Sequence, residues 1–214
     1  MRFTLLDNGA DSLKGAYDSL KAFDNLYEGT GTDHNLKDAV IYLNHGLEIL
    51  LKLILKNHSP SLMFSDIKAY QKAKEKMKKA GKNNVFEVDS TLHTVTLEEA
   101  LKRVELLCDI EIPESLQAAI YYINKIRNQL MHFEVNLNSD ELDELVKKLK
   151  VCYEESVEFL SIHIEYLEES IVLSRFEYTR EDYENDQGEW LAEIRAEQDY
   201  YDEMMDALED YHNH

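Results

Sequence analysis

Turn-forming residues are scarce in this chain of 214 residues, with two prolines, Pro60 and Pro113, and seven glycines in all. Few positions therefore break a helix, and few supply the tight turns of strand hairpins, while Leu, Glu, Lys and Ala, all good helix formers, fill the long stretches. An all-α fold with few strands is expected. Cysteine is equally rare: Cys108 and Cys152 stand alone in amphipathic segments, which suits buried thiols better than a disulfide or a metal site. No apolar run approaches the roughly 20 residues of a membrane span, and Met1-Arg2-Phe3-Thr4 lacks the layout of a signal peptide, so no membrane contact and a cytoplasmic location are expected. Positive charge is also in short supply. Against 23 Lys and Arg stand 43 Asp and Glu, a formal net charge of -20, which excludes broad electrostatic binding to phosphate backbones.

What positive charge there is lies unevenly. Lys68, Lys72, Lys74, Lys76, Lys78, Lys79 and Lys82 form a basic patch, and carboxylates crowd the chain beyond Phe176. The patch is most simply a solvated face, with local RNA contact as the sharper reading. The length suits one helical domain over residues 1–175, with a lysine-rich insertion at about 60–95, and an acidic helical tail over 176–214.

Helical periodicity supports this division. A weak pattern runs from Ala10 to Tyr27 and ends in a polar loop at Gly29, Gly31 and Asp33. Leu36, Val40, Leu43, Leu47, Leu50 and Ile54 step by fours and threes along a second helix up to Ser59-Pro60. The segment from Asp66 to Lys79 reads as a poorly amphipathic surface helix. Val85-Phe86-Glu87-Val88 with His93-Thr94-Val95 suggests a short hairpin, and Thr96-Leu97-Glu98-Glu99 a capping box that opens a helix to about Cys108. From Glu114 to about Phe133 the apolar stripe is Leu116, Ile120, Ile123, Ile126, Leu130 and Phe133. Ser139 caps a last long helix whose stripe, Leu142 through Val146, Leu149, Tyr153, Val157, Leu160, Ile164 and Leu167 to Ile171, suits the spine of an antiparallel bundle with a four-helix-type core. After Gly188 a final helix puts Trp190, Ile194, Tyr201, Met205 and Leu208 on one side and acids on the other.

One polar face stands out. At about 100° per residue, Tyr121, Lys125, Asn128 and His132 fall together, nearly opposite the apolar stripe of their helix, and Arg127 falls on its border. An arginine on such a border must be paired or must reach toward its polar end. Arg127-Asn128-Gln129-Leu130-Met131-His132, on the penultimate long helix of a bundle, resembles the R-x4-6-H motif of the HEPN superfamily (higher eukaryotes and prokaryotes nucleotide-binding). His45-Gly46-Leu47-Glu48-Ile49-Leu50-Leu51-Lys52 looks like the acidic-then-lysine stretch common in that superfamily, and the resemblance spans roughly Asp33 to Ile171.

The resemblance implies a metal-independent endoribonuclease without cofactors, of toxin or phage-defence type, acting on RNA as a homodimer whose two motifs face one cleft. Attack of a ribose 2'-OH on the neighbouring phosphate needs a base, an acid and positive charge for the phosphorane. His132 would serve as base or acid, since an unperturbed imidazole titrates near about pH 6.5, and Arg127 would grip phosphate oxygens with its fork of donors. Asn128 would orient His132 or the phosphate. Glu48 and Lys52 would support these residues, while Tyr121 and Lys125 share the face and Lys125 could contact the backbone. The alternative is a noncatalytic HEPN adaptor that binds a protein partner or a nucleotide through the same cleft. A third reading is a helical scaffold whose acidic tail is the functional part. That tail is most simply a solvated helix docked through Trp190; the sharper reading is a nucleic-acid mimic that shields the cleft or binds a basic partner such as an antitoxin. His45 with Glu48 falls short of a ferritin-like metal site, which needs several such pairs.

Overall fold

The computed structural model describes residues 3–25, 33–177 and 179–212, from 205 onward by backbone alone. The fold is all-α. Among the described residues there are eight α-helices: α1 (Leu5–Asn25), α2 (Asp33–His58), α3 (Ile67–Lys79), α4 (Leu97–Leu107), α5 (Glu114–His132), α6 (Ser139–His163), α7 (Leu167–Leu173) and α8 (Arg180–His212). Contacts divide the chain into two units, Met1–Arg175 and Phe176–His214.

In the first unit α2 is the central helix, packed against α1, α4, α5 and α6. Its expected stripe, Leu36, Val40, Leu43, Leu47, Leu50 and Ile54, is wholly buried, and so are Ala39, Leu51 and Leu55, which widens the apolar surface beyond one face. Such a width suits a helix covered on several sides. The α1 crossing is close because two glycines permit it. A Cβ on Gly9 would stand 2.4 Å from Leu50 Cδ2, and one on Gly46 would stand 3.1 Å from Leu13 Cδ2 and 3.3 Å from the Gly9 carbonyl. Glycine inside a helix costs about 1 kcal/mol relative to alanine, and here the backbone approach offsets it. Arg175 ties the end of the unit down: its guanidinium donates to the Asp11 carbonyl and carboxylate, each at 3.2 Å, and lies 4.5 Å over the Tyr42 ring.

Several local expectations give way to side-chain capping. The hairpin at Val85 to Val95 does not form. Asn84 Oδ1 accepts the Phe86 N–H at 3.0 Å and Glu87 Oε1 accepts the Asn84 N–H at 3.0 Å, which closes a 3-10 turn over Val85–Glu87 and overrides their β propensity. Thr94 makes an isolated antiparallel bridge with Phe64 instead. The insertion also builds a core of its own, with Phe64, Ala73, Met77, Val85 and Leu92 buried together, so α3 has an apolar face after all. Asn138, not Ser139, caps α6, in a box with Glu141. The long stripe ending at Ile171 belongs to two helices: α6 stops at His163, Tyr166 takes a left-handed conformation (φ 62°), and α7 resumes with Leu167 and Ile171 still buried.

In the second unit α8 starts well before Gly188, because Thr179 and Asp182 cap its first turn: the Thr179 N–H donates to Asp182 Oδ2 at 2.7 Å and the Asp182 N–H to Thr179 Oγ1 at 3.1 Å. Gly188 lies inside this helix with open space where a Cβ would project. Trp190 and Tyr201 are each 56% exposed, while Ile194 is half-buried. The side chains of Met205 and Leu208 lie outside the described residues, as do Tyr27, Gly29 and Gly31 of the first loop. No described helix is long and apolar enough to cross a membrane.

Candidate functional site

The site is built on α5 where it passes α2 and the start of α4. Leu116, Ile120, Ile123 and Ile126 anchor α5 in the core, which leaves its opposite face outward. Tyr121, Lys125, Asn128 and His132 are exposed, and all four line one cavity of about 480 Å³. Phe133 is not a core residue: it is 83% exposed. The helix ends at His132, and Phe133 turns away at φ -150°, ψ -135°, so the wheel no longer applies to it. Met131, at 50% exposure, and Phe133 thus flank His132 with apolar surface.

A second cavity, of about 300 Å³, lies between α5, α2 and the Thr94–Glu98 segment. Arg127 and Glu48 line it, and Asn128 lines both cavities, as do Asn124 and Glu98. Arg127 Nη1 donates to Asn128 Oδ1 at 3.0 Å. That bond pairs the guanidinium with Asn128 rather than with His132. His132 makes no hydrogen bond among the described residues, so both ring nitrogens are open to a ligand. Lys52 sits below the second cavity with its side chain 6% exposed, donating to Glu48 Oε1 at 2.6 Å and to Thr94 Oγ1 at 2.9 Å. Six of the seven sequence-derived site residues therefore line two cavities that share Asn128, and the seventh, Lys52, bonds Glu48 and Thr94 of the second cavity's wall.

Three further residues belong to this arrangement. Asn44 is 2% exposed and Asn124 is 8% exposed. The Asn44 amide donates to Asn124 Oδ1 at 3.0 Å, and the Asn124 amide donates to Glu98 Oε1 at 2.9 Å. This relay runs from the core to the rim of both cavities and locks α2, α5 and α4 together through bonds that a buried polar group requires. The sequence does carry a signal for two of them: Asn44 follows Leu43 and Val40 along the apolar stripe of α2, and Asn124 sits beside Ile120 and Ile123, places where a polar side chain needs a reason. Glu98 reads in sequence only as part of a helix start, yet Thr96 caps α4 through the Glu99 N–H, and Glu99 pairs with Arg103, which leaves Glu98 for Asn124.

Chemically the arrangement offers an unpaired imidazole and an ammonium on one outward face, with a guanidinium, carboxylates and carboxamides in the adjoining cavity. Such a set can move a proton, bind an anion and read hydrogen-bond donors. Among the described residues no group of three or more His, Cys, Asp or Glu is placed to hold a metal ion. No family model, no curated protein and no solved structure matches the chain.

Proposed function

We propose that the protein is a metal-independent endoribonuclease of HEPN type, a cytoplasmic toxin or phage-defence effector that cleaves RNA by attack of the ribose 2'-OH on the adjacent phosphate. The observation that carries this reading is the outward His132, which makes no hydrogen bond among the described residues and lines a cavity that shares Asn128, the partner of Arg127, with the cavity that Arg127 lines. In the mechanism His132 takes or delivers the proton, and Arg127 neutralises the phosphorane. Lys125 contacts a neighbouring phosphate, and Tyr121 forms the cavity wall. Glu48 and Lys52 hold the floor.

One chain brings a single motif histidine, and the reaction needs both an acid and a base. The apolar Met131 and Phe133 beside His132 suit burial against a second copy, so the working form in this reading is a homodimer with two His132 side chains across a two-fold axis. The acidic tail, in the same reading, restrains the site or holds an antitoxin. Purified protein incubated with total RNA and excess chelator tests the reaction class. Products ending in 2',3'-cyclic phosphate and 5'-hydroxyl are expected, and 3'-hydroxyl with 5'-phosphate ends would overturn it. A second reading, a noncatalytic HEPN module, draws on the carboxylates Glu48 and Glu98 in the cleft, which attract hydrogen-bond donors rather than phosphate; it predicts binding without cleavage.

A further inference from the structure

Among the described residues the second unit holds no helix besides α8, so no other helix of that unit covers it. Along α8, Tyr183, Gln187, Trp190, Ile194, Glu197, Tyr201 and Met204 recur at alternating spacings of four and three residues, and the sequence carries the spacing on to Leu208 and Tyr211. Between Tyr183 and Met204 that is a run of three heptads, with five of the seven a and d positions apolar or aromatic, the pattern of a coiled-coil seam. Tyr183, Trp190, Tyr201 and Met204 are exposed, as are Leu191 and Tyr200 beside them, and Ile194 is half-buried. A helix alone in water is marginal and draws most of its stability from packing its apolar face, so a stripe of this length calls for an occupant.

Charge placement selects the occupant. α8 is strongly acidic, yet Glu197 is the single acid at the seven seam positions, and Asp182 and Glu189 fall at outer positions of the heptad. A basic partner helix would need acids along both flanks, which instead mix Leu191, Gln198 and Tyr200 with Glu184, Asp186 and Glu193. A second α8 suits the seam, provided Glu197 does not meet itself. In a parallel pair Glu197, Gln187 and Trp190 would each face their own copies. An antiparallel pair sets a against d: with Trp190 opposite Ile194, the same register puts Tyr183 opposite Tyr201 and Gln187 opposite Glu197, whose carboxylate accepts from the Gln187 amide. The bulky indole then faces a smaller side chain. Leu191 meets its own copy at one edge of the seam, and Glu193 does so at the other edge, where water and salt screen the like charges. We infer that α8 is a self-association helix, which pairs antiparallel with α8 of a second copy through the Tyr183 to Met204 seam, Gln187 of each facing Glu197 of the other. The pairing draws on neither the α5 face nor the reaction proposed for it.

Trp190 is the only tryptophan of the chain, so its fluorescence reports on α8 alone. The test follows the full-length protein across a range of concentrations by light scattering and by Trp190 emission with acrylamide quenching. A dimer is expected, with Trp190 emission shifted to the blue and shielded from acrylamide as the dimer forms, and Ile194→Asp should abolish both. Replacing the polar layer by combining Gln187→Leu with Glu197→Leu should tighten the dimer by about 10-fold or more, since apolar side chains then fill two further layers. Gln187→Cys combined with Glu197→Cys should join two chains under mild oxidation. Gln187→Cys alone should not, because antiparallel pairing holds the two copies of that position about 15 Å apart along the helices. A monomer at every concentration overturns the pairing, whether its Trp190 is open to acrylamide or shielded by its own chain. A dimer whose Trp190 stays open, or which Ile194→Asp leaves intact, is held elsewhere and overturns it too. A weaker dimer in the double leucine variant, or crosslinking through Gln187→Cys alone, overturns the antiparallel register.

Discussion

Lys52 and Glu48 differ in how far each is shut off from water, and that difference makes the pair asymmetric under mutation. The Lys52 side chain is 6% exposed and that of Glu48 28%. Glu48→Ala leaves an ammonium whose remaining acceptor is the Thr94 hydroxyl, at 2.9 Å. Removing one partner of a fully buried pair costs about 3–5 kcal/mol. Water entering from the adjoining cavity moderates this, so a loss of about 2–3 kcal/mol is expected. Lys52→Met keeps the apolar stem packed and removes the charge; Glu48 is left partly hydrated, and the change should stay within about 1 kcal/mol. For a chain of this length the first variant corresponds to a melting point lowered by roughly 5–10 °C. Urea unfolding followed by far-UV circular dichroism measures both, and the double variant should resemble Lys52→Met alone. Lys52→Met as destabilising as Glu48→Ala would refute the asymmetry.

Other consequences follow from packing and burial. Gly9→Ala and Gly188→Ala should have opposite signs. The first drives a methyl into the buried Leu50 and lowers stability by about 1–2 kcal/mol, while the second meets nothing within 4 Å and raises the helix content of α8, both readable by thermal melts. Burial pushes the Cys152 thiol from 9.0 up to about 12 and the Tyr153 hydroxyl from 10.0 up to about 12. Both groups hold their protons more tightly in the folded state, so their contribution to stability is complete below about pH 9 and lost as the pH rises toward about 12. Unfolding free energies measured across that alkaline range should fall steadily, and a flat profile would contradict it. Iodoacetamide at neutral pH should leave Cys152 unmodified in the native protein and alkylate it in denaturant.

How much of this was legible in the sequence depends on the range of the interaction. The α2 stripe and the outward face of α5 follow from a 3.6-residue period, which needs no knowledge of neighbours. The break between α6 and α7 escapes the same reasoning, because Leu160, Ile164, Leu167 and Ile171 stay in phase across it and the left-handed Tyr166 carries no glycine or proline to announce it. Phe133 fails for a related reason, since periodicity extends past a helix end that only backbone geometry defines. Three-residue capping competitions decided the Val85–Glu87 turn and the start of α6, and there Asn84 and Asn138 were the informative residues. The relay from Asn44 through Asn124 to Glu98 joins residues far apart in the chain. Periodicity shows two asparagines on apolar faces but not that they bond each other.

Cleavage of a defined RNA in excess chelator by the wild-type chain and by its His132→Ala and Arg127→Ala variants bears most directly on the proposed chemistry. Wild-type cleavage, with each variant slower by about 100-fold or more, is the expected result. Absence of cleavage by the wild-type chain, or activity undiminished in His132→Ala, would contradict it.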